Sequence, residues 1–276
     1  MSALRAALRA YPTLLRVGFA ETIAYRAETI VWMLTNTMPL VNLALWSAVA
    51  RGGRIAVGDG RGYGQGDLTA YYLTALLVRQ LTSSWVLWEM EREIRLGLLS
   101  MRLLRPIHPL ITYSAENISA LPLRAGLTVP VAAIAIAIAG PPHLSRDPLV
   151  YLVFPLALGG AWCINFFFST LMGTLNFFLD KALSVFQLWL GAYFVLSGYM
   201  FPIDFLNARA PWAAGVIRNL PFYCMAGFPV EALLGLRTRA ELLHSLAVQW
   251  GYAAVLAGAT VLLWRSGVKR FNAYGA

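Results

Sequence analysis

Residues 149–175 read LVYLVFPLALGGAWCINFFFSTLMGTL, without one charged side chain. A helix of about 20 apolar residues spans the roughly 30 Å hydrocarbon core of a bilayer. This stretch exceeds that length, so it is expected to tilt, kink at Pro155 or project beyond the hydrocarbon. Five further apolar stretches flank it, at about 28–50, 68–88, 112–138, 182–201 and 246–264. Hydrophobic residues make up 59% of the 276-residue chain and charged residues 13%, about half the charge of an ordinary globular domain. Mean hydropathy is +0.62. A soluble fold of this size would leave a large apolar exterior. The expected fold class is an all-α polytopic membrane protein, one domain over residues 1–276 with six transmembrane helices. Pro39, Pro122, Pro130 and Pro155 fall inside these spans, and membrane helices tolerate such kinks when neighbours satisfy the freed carbonyls.

Charge writes the topology. There are 20 Arg and 2 Lys against 13 acids, a net +9. The basic residues are dispersed among short connecting loops, which is a topogenic pattern and not a phosphate-binding patch, so no nucleic-acid partner is expected. Six spans put both termini on one side. With that side cytoplasmic, the inner segments hold twelve basic residues and the outer ones eight. The positive-inside rule then favours cytoplasmic termini, although Arg51, Arg54 and Arg61 pull the other way.

Before the first span, residues 1–27 read as an amphipathic helix in the membrane interface. Leu4, Leu8, Tyr11 and Leu15 recur at helical spacing beside Arg5, Arg9 and Arg16, and Pro12 is expected to interrupt it. The segment has no apolar core followed by a small-residue cleavage site, so no cleavable signal peptide is expected. Loop 51–67 carries seven glycines and is expected to be flexible and exposed. Cys163 and Cys224 show neither metal spacing nor need of a disulfide.

The loop after the second span concentrates charge: Glu91, Arg92, Glu93, Arg95, Arg102 and Arg105, ending at Pro106. Ile94, Leu98 and Met101 recur at helical spacing, Glu91 and Arg95 form a favourable i,i+4 pair, and Pro106 and Pro109 end the run. The expectation is a short amphipathic helix over 91–105, with Arg95 and Arg102 on one face offered to an acidic partner. An ordinary basic loop that anchors topology is the alternative.

Few polar groups enter the spans. Arg79 lies near the middle of the second and Arg124 within the third; an Arg at the bilayer centre costs about 2.5–3.5 kcal/mol on insertion scales. Both should face the bundle, water or a carboxylate, and Glu116 is a candidate partner for Arg124. Arg79, Asn36, Asn42 and Asn165 are candidates for the translocation path or for interhelical bonds. The aromatics around the fourth and fifth spans, and the small residues Ala253, Ala254, Ala257 and Gly258 on the sixth, suit packing. Asp180 and Lys181 form a tight turn that is either plainly solvated or a second cytoplasmic contact.

Several stretches together resemble the permease subunits of ABC-2-type ABC transporters. Glu93-Ile-Arg-Leu-Gly-Leu-Leu-Ser100, running on to Leu103-Leu-Arg-Pro-Ile-His-Pro109, is similar to that family's cytoplasmic coupling region, with Leu98 a departure where a polar residue is common. Leu196-Ser-Gly-Tyr-Met-Phe-Pro-Ile203, Leu220-Pro-Phe-Tyr223 and Pro229-Val-Glu-Ala-Leu-Leu-Gly235 resemble its segment between the fifth and sixth helices. The tail Lys269-Arg-Phe-Asn-Ala-Tyr-Gly275 is a third match. The resemblance implies an N-terminal elbow helix, a cytoplasmic coupling helix at Glu91–Pro106, and extracellular re-entrant helices marked by Pro202, Pro221, Pro229 and Glu231. It implies a dimer, with a second copy or a paralogous permease, in the inner or plasma membrane. It also implies separate cytoplasmic ATPase subunits that hold ATP and Mg, and export of a lipophilic or amphiphilic compound by alternating access.

The residues agree with that division of labour. A Walker loop needs Gly-Lys before Ser or Thr, and the two Lys follow Asp180 and Val268. No cofactor is therefore expected in this chain, and no enzyme activity. His108, His143 and His244 are far apart, without a His-Glu-x-x-His arrangement for an intramembrane protease. A secondary transporter independent of an ATPase is the alternative; it would show paired broken helices and intramembrane acids, and here the acids mostly avoid span centres.

Overall fold

The computed structural model describes residues 3–57, 62–139, 145–179 and 182–271. In chain order its helices are α1 (Ala3–Ala24), α2 (Arg26–Thr35), α3 (Met38–Ala50), α4 (Gln65–Thr82), α5 (Val86–Arg95), α6 (Leu99–Leu103), α7 (Pro109–Ser119), α8 (Leu121–Ala139), α9 (Pro148–Thr174), α10 (Ala182–Leu196), α11 (Pro211–Arg218), α12 (Pro221–Met225), α13 (Gly227–Leu233) and α14 (Arg239–Val268). Among the described residues, three helical runs are long and apolar enough to cross a membrane: Pro109–Ile134, Pro148–Phe177 and Arg239–Val268. The α9 span matches the uncharged stretch 149–175, with Asp147 accepting from the Leu149 N–H at 3.0 Å to cap it.

Three expected spans are broken, and local chemistry explains the first two. The stretch 28–50 divides at Asn36 and Thr37. There Thr35 and Asn36 side chains donate to the Trp32 carbonyl at 2.7 and 3.0 Å, and Thr37 donates to the Leu34 carbonyl at 2.9 Å. These side chains compete for helix acceptors just where Pro39 offers no N–H. The stretch 68–88 stops at Thr82, and Ser83 is extended at φ −66°, ψ 143°. Thr82 back-bonds to the Val78 carbonyl at 2.8 Å, and the Thr-Ser-Ser run gives the chain its exit from α4. The third span is interrupted at Ala120, two residues before Pro122, while Pro130 and Pro155 lie within unbroken α8 and α9.

Other expectations need correction. Helix α1 runs through Pro12; Pro12 lies on the exposed side, where a carbonyl that loses its partner can be hydrated. The fifth apolar stretch, 182–201, is helical only to Leu196. Gly198 then takes a left-handed φ of 82°, which turns the chain out of the helix. The glycine-rich loop is partly built: Ile55–Ala56 pairs antiparallel with Gly62–Tyr63, and Val57 and Tyr63 are buried. The Gly58–Arg61 part of that loop, His143, the Asp180-Lys181 turn and the tail from Asn272 onward lie outside the described residues.

Packing centres on α9, which lies along α14, α5 and α13. Gln249 of α14 is fully buried and donates to the Ala157 carbonyl at 2.9 Å and the Cys224 carbonyl at 2.7 Å, binding α14 to α9 and α12. Trp189 stacks on Phe168 at 4.1 Å, so the aromatic crowd of the fourth and fifth spans is a packing device. The bundle has two polar ends. One carries α5, α6 and the start of α7; the other carries α11–α13 and the start of α14.

Candidate functional site

At the first end, residues 91–105 do not form one helix. Helix α5 ends at Arg95, Gly97 takes a left-handed φ of 72°, and α6 restarts at Leu99. Only glycine adopts that turn without strain. The turn rotates α6 against α5, so Arg95 and Arg102 do not share a face. Arg95 stays exposed and meets Glu91 at 3.0 Å, as the i,i+4 spacing implied. Arg92, Arg105 and Pro106 are exposed as well.

Arg102 turns inward instead, which corrects its expected role as an outward docking charge. Its Nη2 donates to Glu89 at 2.8 Å and to Glu93 at 2.7 Å, and its Nη1 donates to Glu116 at 2.8 Å and to Thr112 at 3.1 Å. The guanidinium also lies over the Tyr113 ring at 4.2 Å, and the Tyr113 hydroxyl donates to Glu93 at 2.5 Å. Three carboxylates thus converge on one cation. Burial, with the Glu116 carboxylate next, pushes Glu89 up to about 8, and Arg102 pulls in the opposite direction. Below this cluster lies an apolar base of Val86, Met90, Ile94, Leu99, Phe166 and Trp264. Around the Gly97 turn, Leu96, Leu98, Met101 and Leu104 are exposed, Leu104 at 81%.

The other intramembrane candidates separate by contact. Glu116 is committed to Arg102 and does not pair with Arg124. Arg124 is buried and bonds the Ser83 carbonyl and hydroxyl, each at 3.2 Å. Arg79 sits over the rings of Tyr193 and Tyr199, at 5.3 and 5.9 Å from their centres. Asn42 ties α3 to the Tyr199 carbonyl at 3.1 Å, an interhelical bond of the expected kind. Asn165 bonds the Ala161 carbonyl of its own helix at 2.9 Å, as Asn36 bonds Trp32, so neither donates its amide across the bundle.

At the opposite end the segment between α10 and α14 folds as short helices with prolines at or near their starts. Pro202 precedes a 3₁₀ turn at Ile203–Leu206, Pro221 opens α12, and Pro229 lies inside α13. Glu231 is fully buried and accepts from Arg237 Nε at 2.6 Å and the Tyr223 hydroxyl at 2.7 Å. Asp204 accepts from Arg218, from Arg237 at 3.2 Å, from Asn207 at 3.1 Å and from the Tyr63 hydroxyl at 3.2 Å. Burial raises the Glu231 carboxyl, and Arg237 holds it down. The sequence reading singled out Glu231 but missed Asp204, Arg218 and Arg237. It also missed Thr238-Arg-Ala-Glu241, a capping box in which Thr238 and Glu241 bond each other's N–H groups to start α14.

Three of the six expected spans are helical runs long and apolar enough to cross a membrane, with a charged turn at one end of the bundle and a series of short helices at the other. A family model described as ABC-2 family transporter protein matches residues 37–275. The chain belongs to the ABC-2 transporter family. It is a multi-pass membrane protein and a membrane subunit, not itself an ATPase, of a family whose members work with ABC ATPase subunits. The match covers everything from the break between α2 and α3 through the tail, including both polar clusters of this ABC-2 protein. No curated protein matches the chain.

Proposed function

We propose that this chain is the permease subunit of an ATP-driven transporter that exports a lipophilic or amphiphilic compound. The observation that carries the reading is the Gly97 turn: exposed Leu96, Leu98, Met101 and Leu104 stand on a base fixed by Arg102 and its carboxylates. In water such a ridge is costly, and contact with a partner relieves it. The partner is a cytoplasmic ATPase subunit, which holds ATP and Mg. The resulting orientation puts both termini in the cytoplasm of a cell with this protein in its inner or plasma membrane. Six crossings come from the three long helical runs, from α10, from the broken pair α2–α3 and from the stretch 68–88; α4 alone, at 18 residues, reaches about 27 Å. Helix α1 serves as the elbow helix, and the short helices α11–α13 are the re-entrant segment at the outer face. The functional unit is a dimer with a second copy or a paralogous permease.

Alternating access then needs a partner that contacts the two membrane states unequally. A rigid link serves this purpose. Force on the Gly97 turn passes through Arg102 to α5 and α7 together, because its guanidinium holds Glu89 and Glu93 on one and Glu116 on the other. The test is Met101→Asp with Leu104→Asp. Both side chains are exposed, so the folded, detergent-extracted protein should be retained while co-purification with the ATPase and transport fall together. Intact co-purification and transport in that variant would contradict the reading.

A further inference from the structure

A cavity of about 540 Å³ opens where α2, the Ser83–Trp85 break, α5 and α8 meet. One wall is aromatic. Trp32 and Trp85 lie 5.2 Å apart, Trp85 and Trp88 5.5 Å, and Trp32 and Trp88 are 50% and 40% exposed. Arg124 also lines the cavity, a residue only 7% exposed whose hydrogen bonds go to neutral Ser83. No described carboxylate lies within ion-pairing distance of it. Arg79 is near enough for its positive charge to act on Arg124, and Arg92 lines the same cavity without an ion pair among the described residues. The cavity's two acids do not settle the balance: Glu89 is engaged by Arg102, and Glu28 is exposed. A buried cation held by neutral oxygens alone, facing open space, is a costly arrangement that a bound anion would relieve.

We propose that this cavity binds an anionic amphiphile, its acidic headgroup on Arg124 and Arg92 and its apolar body against Trp32, Trp85 and Trp88. The assignment deepens the export reading by giving the compound a charge, and it rests on that reading only in treating the bound amphiphile as the exported compound. The site takes one chemistry, a phosphate- or carboxylate-headed chain, from either of two sources: a resident membrane lipid or a free amphiphile.

The experiment uses the full chain in nanodiscs of phosphatidylcholine. Tryptophan quenching is followed with three brominated alkyl probes that differ only in headgroup: phosphate, trimethylammonium and maltoside. Saturable binding of the phosphate probe, about tenfold tighter than the other two, is expected. Arg124→Gln should erase that preference, and Arg124→Lys should restore most of it with the same elution profile. Should Arg124→Gln not fold, Arg92→Gln, at an exposed position, is expected to weaken the phosphate probe alone. Equal affinity for all three headgroups in the wild-type chain would overturn the site. So would a phosphate preference unchanged in both Gln variants. Competition by phosphatidylglycerol identifies the resident anion as lipid, and its absence identifies a free amphiphile; both support the shared chemistry. Because binding is read without ATPase or transport, a failed export assay with intact probe binding sinks the export reading and leaves the site standing.

Discussion

The two polar ends are built from the same side chains but balanced differently. Around Asp204 and Glu231 two carboxylates meet two guanidiniums, Arg218 and Arg237, with tyrosine and asparagine donors adding bonds to Asp204 and Glu231 Oε2, while Glu231 Oε1 stays without a partner among the described residues. Around Arg102 three carboxylates share one guanidinium. The first set is neutral overall, its carboxylates nearly closed to water, and it acts as a lock that joins the hairpin, the short helices and the start of α14. The second carries surplus negative charge and keeps Glu89 and Glu116 partly open, at 26% and 34% side-chain exposure. A charge surplus makes that end responsive to protons and to a partner, which suits the end at which force would enter.

Breaking the balanced set should cost most. Arg237→Met leaves Glu231 and Asp204 at 0% and 4% exposure with Arg218 as their remaining cation. A loss of about 3–5 kcal/mol is expected, read as a large fall in the thermal midpoint of the detergent-solubilised protein. Arg102→Met should cost less, about 1–3 kcal/mol, because two of its three carboxylates can hydrate. That loss should shrink on acidification as the orphaned carboxylates take up protons. An equal and pH-independent loss at both ends would erase the contrast.

The smallest effect sharpens it. Glu89 holds its proton up to about 8 in the fold, against an ordinary value of 4.5, so the folded state binds more protons than the unfolded one between those limits. Stability at this end should therefore fall as pH rises through that window, with a slope of at most about 1.4 kcal/mol per pH unit. Glu89→Gln should flatten the slope and leave the midpoint at pH 8 equal or higher. Midpoints measured from pH 5 to 8.5 check it, and an unchanged slope would place the titration elsewhere.

How much of this could be read beforehand depended on the range of the interaction. The α9 span was legible because 27 uncharged and mostly apolar residues in a row leave helix in lipid as the economical solution. The breaks at Asn36 and Ser83 were written in Thr, Ser and Asn clusters, but total hydropathy outweighs such local competition when a span is counted. Helix α14 begins well before the expected residue 246 because its first turns are polar; Thr238-x-x-Glu241 marked the start. The inward turn of Arg102 was not legible. Its spacing of seven from Arg95 implies a shared face only for an unbroken helix, and the left-handed turn at Gly97 voids that premise. The meeting of Asp204 with Arg237 was hidden for a different reason: it depends on how four short elements stack, which no local pattern encodes.

The orientation of the two ends is the central claim, and accessibility tests it most directly. In a background with Cys163 and Cys224 replaced by Ala, Met101→Cys at the Gly97 turn and Trp212→Cys on α11 are each exposed positions, at 65% and 76%. A membrane-impermeant maleimide applied to intact cells should label Trp212→Cys at once and Met101→Cys only after permeabilisation. Labelling of Met101→Cys in intact cells, or of both positions alike, would contradict a cytoplasmic coupling turn and an outer short-helix segment on opposite faces of the membrane.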